Sequence, residues 1–138
     1  MSLPPVLLAV MVALVPAAQA PSLPEKEQRT PAQQKINSQL LYEIYRVRGE
    51  AGQKAVPPGP TGVKIDARGR ALVDIRADPT AALQNSIRHA GGLVLSTSVR
   101  GRSIIARVPL LKLETLAADP AVRFIEPAAE STTGVRFR

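Results

Sequence analysis

Residues 91–109, "GGLVLSTSVRGRSIIARVP", decide the fold. Gly91-Gly92 can stop a helix and release the chain, because glycine takes left-handed backbone angles without a steric penalty. Leu93 to Val99 and Ser103 to Val108 are short β-prone runs, and Arg100-Gly101 between them carries turn chemistry. Pro109 closes the second run, since proline cannot donate to a ladder. The stretch predicts an antiparallel hairpin.

Working outward, Asp78-Pro79 upstream reads as an N-cap with proline at the first helical position. Leu83, Ile87 and Ala90 follow at helical spacing on one face. Before them lies "VKIDARGRALVDIRA", residues 63–77. Val63 and Ile65 alternate with polar residues, Asp66 to Gly69 supplies a turn, and Ala71, Val73, Ile75 and Ala77 alternate again, which predicts a second hairpin. Downstream, Pro109 opens a short helix whose Leu110, Leu113, Leu116 and Ala117 share a face. Asp119-Pro120 breaks that helix, Val122, Phe124 and Ile125 supply a last strand, and Pro127 stops it. The order over 70–127 is β-α-β-β-α-β. Right-handed crossovers then give an α+β ferredoxin-like plait: an antiparallel four-stranded sheet in the order 4-1-3-2, with both helices on one face. The plait domain, with its leading hairpin strand, spans 62–127.

The flanks read differently. Thr30-Pro31 starts a helix over 31–48 with Ile36, Leu40, Leu41, Ile44 and Val47 on one stripe and Gly49 as its stop. This extra amino-terminal helix is expected outside the plait. Residues 49–62 are a proline-broken linker, and "PSLPEKEQRT", residues 21–30, is expected to be disordered. Val6 to Val15 is an unbroken apolar run followed by Ala18-Gln19-Ala20, the small-x-small form of a signal-peptidase site. A helix of that length spans roughly 15 Å, about half a bilayer core, so residues 1–20 read as a signal peptide rather than a stable membrane span. The expected location is periplasmic or extracellular. Residues 128–138 form a tail.

Composition narrows the function classes. Cysteine is absent, which removes disulfides, thiolate nucleophiles and Cys-based zinc sites. His89 is the single histidine, and it sits where an imidazolium would meet a helix carboxyl end. Ser86, Ser96 and Ser103 lack a nucleophile elbow, and "RHAGGL" is a helix stop rather than a phosphate loop. The expectation is no enzyme, no cofactor and no metal. The net charge of +7 is spread over the chain, and the aromatics are only Tyr42, Tyr45, Phe124 and Phe137. That distribution argues against nucleic acid, which needs a focused basic patch and stacking platforms.

Period-two alternation assigns Ala71, Val73, Ile75, Leu93, Leu95, Ile104, Ala106, Val108, Val122 and Phe124 to the helix-covered face of the sheet. Leu72, Val94, Ile105 and Ile125 then converge on the open face, ringed by Asp74, Arg76, Arg107 and Arg123. An apolar centre with a charged rim has the make-up of a docking surface. Leu72, Val94, Ile105, Arg107 and Ile125 are its expected partner-docking residues. The competing expectation is that the helix over 31–48 folds back and covers this face.

The ordered set "GRALVDIRA", "HAGGLVLSTS", "RSIIARVP" and "LETLAADPAVRFIEP" resembles the propeptide domain of subtilisin-like serine proteases, the propeptide-type peptidase inhibitor family. The matching features are Gly91-Gly92 before the second strand and Asp119, Pro120, Val122, Ile125 and Glu126 at the end. The resemblance implies that the open sheet face docks on the protease. It also implies that the segment after the last strand (Pro127, Ala128, Ala129, Glu130, Ser131, Thr132 and Thr133) enters the active-site cleft like a bound product. Neither an Asp-Thr-Gly nor a Gly-Thr-Ser-Met-Ala motif of a catalytic domain occurs in these 138 residues. The implied partner is a subtilisin-like protease bound in trans, or one missing in cis if the chain is the leader of an interrupted protease. The implied activity is inhibition or folding assistance. The alternative is a structural plait that self-associates through its sheet.

Overall fold

The computed structural model describes residues 23–129 and Ser2, so the expected signal peptide and the end of the tail lie outside the described residues. In chain order the elements are α1 (Pro31–Gln34), α2 (Ser38–Arg48), β1 (Arg70–Arg76), α3 (Ala81–His89), β2 (Leu93–Ser98), β3 (Ser103–Pro109), α4 (Leu113–Ala117) and β4 (Phe124–Pro127). One 3-10 turn, Glu25–Gln28, precedes α1, and another, Leu110–Lys112, runs into α4. The sheet order is β2-β3-β1-β4 with every neighbouring pair antiparallel. This is the ferredoxin-like plait, with β1 and β3 central. The leading hairpin is a short one: Ile65 bridges Ala71, and the Leu72 amide donates to the Lys64 carbonyl at 2.9 Å.

The helix expected outside the plait is built into it. Ile36, Leu40, Leu41, Ile44 and Tyr45 are buried in one cluster with Ala71, Val73, Ile75, Ile104, Ala106 and Val108 of the sheet and with Leu83, Ile87, Leu113 and Leu116 of the plait helices. The helix is also split. Lys35 to Asn37 run along the outer edge of β4, where the Asn37 amide donates to the Ile125 carbonyl and the Ile125 amide donates to the Lys35 carbonyl, both at 2.8 Å. Thr30 and Gln33 cap α1 reciprocally, and the Asn37 side chain caps α2 by accepting from the Gln39 amide at 2.9 Å. A plait of some 58 residues buries only about 60% of its unfolded surface. Adding α2 enlarges the core and, among the described residues, brings its one fully buried aromatic side chain, Tyr45.

Three further expectations are corrected. Residues 23–30 are ordered: Glu25 accepts from Arg29 at 2.7 and 2.8 Å and from the Tyr45 hydroxyl at 2.9 Å, clipping the lead to α2. The linker is pinned along α2, with Arg46 Nη2 donating to the Pro57 and Gly59 carbonyls and the Thr61 hydroxyl donating to Glu43. The cap of α3 is Thr80, whose hydroxyl accepts from the Leu83 amide, while Asp78 instead receives Arg102 at 2.7 Å. Proline at position 79 sits before the cap and not inside the helix.

The Glu25 clip has a pH signature. Burial alone would raise its pKa, but the hydrogen bonds from Arg29 and Tyr45 outweigh that and hold it below the ordinary carboxylate value of 4.5. A folded pKa below the unfolded one stabilises the fold fully above the unfolded value. That contribution is lost as pH falls through the folded pKa. Glu25→Gln should therefore lower the melting temperature at pH 7, with the gap from wild type closing as the pH is taken below 4.5. Melting curves across that window check it.

Gly92 holds α3 against β3. A Cβ there would stand 2.7 Å from Ile87 Cγ2, 2.8 Å from the Ile87 carbonyl oxygen and 3.1 Å from the Arg107 carbonyl oxygen. Two of those neighbours are backbone and cannot yield cheaply. Gly92→Ala should cost about 1–3 kcal/mol, read as a fall in the thermal midpoint.

Candidate docking face

Residues opposite one another across antiparallel strands share a face, so the register fixes the open side of the sheet row by row. The first row is Leu93, Arg107 and Leu72. The second is Ser96, Ile105, Asp74 and Glu126. The third is Ser98, Ser103, Arg76 and Phe124. The helices bury their apolar side chains on the other side of the sheet, and among the described residues no helix lies over these rows. The expected fold-back of the 31–48 segment onto this face is thus excluded: Ile36, Leu40, Leu41 and Ile44 of its stripe are spent in the core, and Val47 is exposed.

The register corrects two of the expected docking residues. Ile125 lies opposite Ile75 and is fully buried in the core, and Val94 lies opposite Ala106 and packs on the same core. Both errors are shifts of phase. The Val122 amide donates to the Asp119 carbonyl, so Val122 belongs to a turn and the alternation restarts at Phe124. In β2 the register slips between Val94 and Ser96, a β-bulge at Leu95 that inverts the phase across it. Phe124 and Leu93, assigned to the helix face, are on the open one. The opposite charges of Arg76 and Glu126, paired across strands, were the available signal for the correct phase of β4.

Of the other expected docking residues, Ile105 and Arg107 lie on the open face and are half-buried. Leu72 belongs to the same face by register but is only 4% exposed. Its backbone is crowded from one side, bonding both Lys64 and Ala128. In the tail, Pro127 is still part of β4, and Ala128 is buried with its amide donating to the Leu72 carbonyl at 3.1 Å. The tail therefore leaves the sheet at Ala129 and not at Pro127. Glu130, Ser131, Thr132 and Thr133 lie outside the described residues.

A polar strip crosses the face. The Ser103 hydroxyl donates to Asp74 at 2.6 Å, Arg76 Nη2 lies 3.3 Å from Asp74, and the same Nη2 lies 2.7 Å from Glu126. The hydrogen bond to Glu126, with the nearby Asp74 charge, pushes the Arg76 guanidinium further up from its ordinary range. The strip is a satisfied network with both carboxylates engaged. Exposed pairs of this kind are screened by solvent, so they orient the surface more than they stabilise it. Ile105, Phe124 and Leu93 are the apolar elements around it. This arrangement can present a shaped, half-apolar surface to another protein.

A second concavity of about 390 Å³ lies between α3 and α4, lined by Ser86, His89, Lys112, Thr115 and Asp119. The Ser86 hydroxyl is spent on the Ala82 carbonyl, and among the described residues no hydrogen bond links it to His89 or Asp119. His89 ends α3, the position expected for a helix-terminal imidazole. Among the described residues no group of three or more His, Asp or Glu could hold a metal ion, and no helix is long and apolar enough to cross a membrane. Comparison with protein-family models, curated proteins and solved structures gives no match.

Proposed function

We propose that the chain is an exported protease-binding module of the propeptide type, which docks on a subtilisin-like serine protease through the open sheet face and inhibits it or assists its folding. The observation that carries this reading is the bare face itself. Among the described residues the four helices leave this side of the sheet without a helical cover, and Ile105, Phe124 and Leu93 stand around a fixed polar strip there. Apolar side chains interleaved with fixed charged pairs give the face the mixed composition of non-obligate protein interfaces, with the polar strip at its centre rather than at its rim. The product-like tail starts at Ala129, where the chain leaves β4. Small residues in "AESTT" suit strand addition inside a protease cleft, where backbone hydrogen bonds carry much of the affinity.

The test is inhibition of a panel of subtilisin-like proteases by the full-length chain. Tight, competitive inhibition of at least one is expected, and inertness toward all of them contradicts the reading. A truncation after Ala128 should weaken inhibition while leaving the melting curve unchanged. One after Glu126 should also destabilise the fold, because it removes the Ala128 bond to Leu72. The structural alternative, self-association through the sheet, draws on the free outer strand β2. The arginines at the two ends of that strand, Arg88 and Arg100, oppose it.

A further inference from the structure

We propose that the outer edge of β2 is a strand-addition site for an extended, acidic segment of another protein, distinct from the open face. The two edges of the sheet differ. The edge at β4 is occupied by Lys35 to Asn37, held by hydrogen bonds to Ile125. The edge at β2 has no strand beside it among the described residues. An edge strand turns every second backbone amide and carbonyl outward, and proteins usually blunt such an edge with charge or proline. Leu93 to Ser98, "LVLSTS", contains neither. The register slip at Leu95 is a bulge, which can itself blunt an edge, but it does not cover this one: Leu95 is 47% exposed and Val99 just beyond is 80% exposed.

Charge identifies the occupant. From Pro79 to Leu113 the chain has no Asp or Glu, but it has Arg88, Arg100, Arg107 and Lys112, besides Arg102, whose charge is paired with Asp78 at 2.7 Å. Arg88 lies in the last turn of α3 just before β2, and Arg100 lies in the turn just after it. Both ends of the edge are therefore cationic. A second copy pairing through β2, parallel or antiparallel, would set positive ends against positive ends. An extended segment with carboxylates flanking small or β-branched residues fits both the backbone row and the charge. Nucleic acid would satisfy the charge alone, because residues 79–113 contain no aromatic side chain on which a base could stack.

The test uses the full chain and a fluorescein-labelled peptide of alternating valine and threonine with two glutamates at each end. Fluorescence anisotropy should show binding, at least roughly tenfold weaker when lysines replace the glutamates. N-methylation of alternate peptide amides should abolish it, since strand addition runs through the backbone. Leu95→Glu should weaken binding without moving the melting temperature, because the new carboxylate repels the acidic peptide and Leu95 is exposed. Hydrogen exchange should slow at Leu93 to Ser98 on peptide addition. No binding, equal binding of the N-methylated peptide, unchanged exchange in β2, or displacement of the peptide by a single-stranded oligonucleotide at lower concentration overturns the proposal. Leu93, Ser96 and Ser98 belong to both surfaces, so protease inhibition is measured in parallel, and a peptide that does not compete with the protease marks the edge as a separate site.

Discussion

Leu41→Ala is expected to lower the thermal midpoint by about 10 °C or more. Leu41 is fully buried, and it belongs to the same apolar cluster as the sheet and the plait helices. Truncating a buried leucine costs about 2–5 kcal/mol, the lost transfer energy plus the cavity left behind. For a domain of this size each kcal/mol moves the midpoint by about 4–8 °C. The same reasoning makes residues 62–129 alone unstable, because they would expose the surface now covered by Ile36, Leu40, Leu41, Ile44 and Tyr45. Circular dichroism melts of Leu41→Ala and of the shortened chain check this. A shift within 2 °C would mean that α2 is a detachable arm after all.

Ile105→Asp is expected to abolish protease inhibition, a loss of at least 100-fold. Ile105 is half-buried in the middle of the open face, in the row shared with Ser96, Asp74 and Glu126. A carboxylate placed there and covered by a partner would be an uncompensated buried charge, costing about 3–5 kcal/mol. In the free protein it would stay hydrated, although it faces Asp74 across the strands and so loses some stability. Ile105→Lys is the companion variant, because it faces the same Asp74 with the opposite sign. It should keep the fold and still lose inhibition. Leu111→Asp, exposed on the 3-10 turn away from the sheet, should change neither.

The topology of the plait was legible in the sequence because its punctuation is strong. Gly91-Gly92, Pro109, Asp119-Pro120 and Pro127 fall at element boundaries, and short apolar runs between them leave few pairings open. The faces were legible only where strands are regular. In β1 and β3 the alternation holds throughout, and Ile104 and Ile105 fall on the sides expected for them. It failed at Leu93 and Val94, where the bulge at Leu95 inverts the phase without any compositional mark, and at Phe124 and Ile125, where the turn at Val122 shifts it by one although Val122 itself is buried as expected. The placement of α2 was hidden for a different reason. An apolar stripe at helical spacing shows that a helix is buried against something, but not against what. The break at Ile36 was masked because an isoleucine extended along β4 and one on the helix stripe occupy the same position in the periodic pattern.

Ile104 and Ile105 are adjacent in sequence and point to opposite sides of the sheet, which makes their methyl groups a direct reporter of the central claim. Cross-saturation from a perdeuterated chain, selectively labelled at isoleucine methyls and bound to a protonated subtilisin-like protease, should attenuate Ile105 strongly. It should leave Ile104, fully buried under the helices, at its free intensity. A complex in which Ile105 is untouched would contradict docking through the open face.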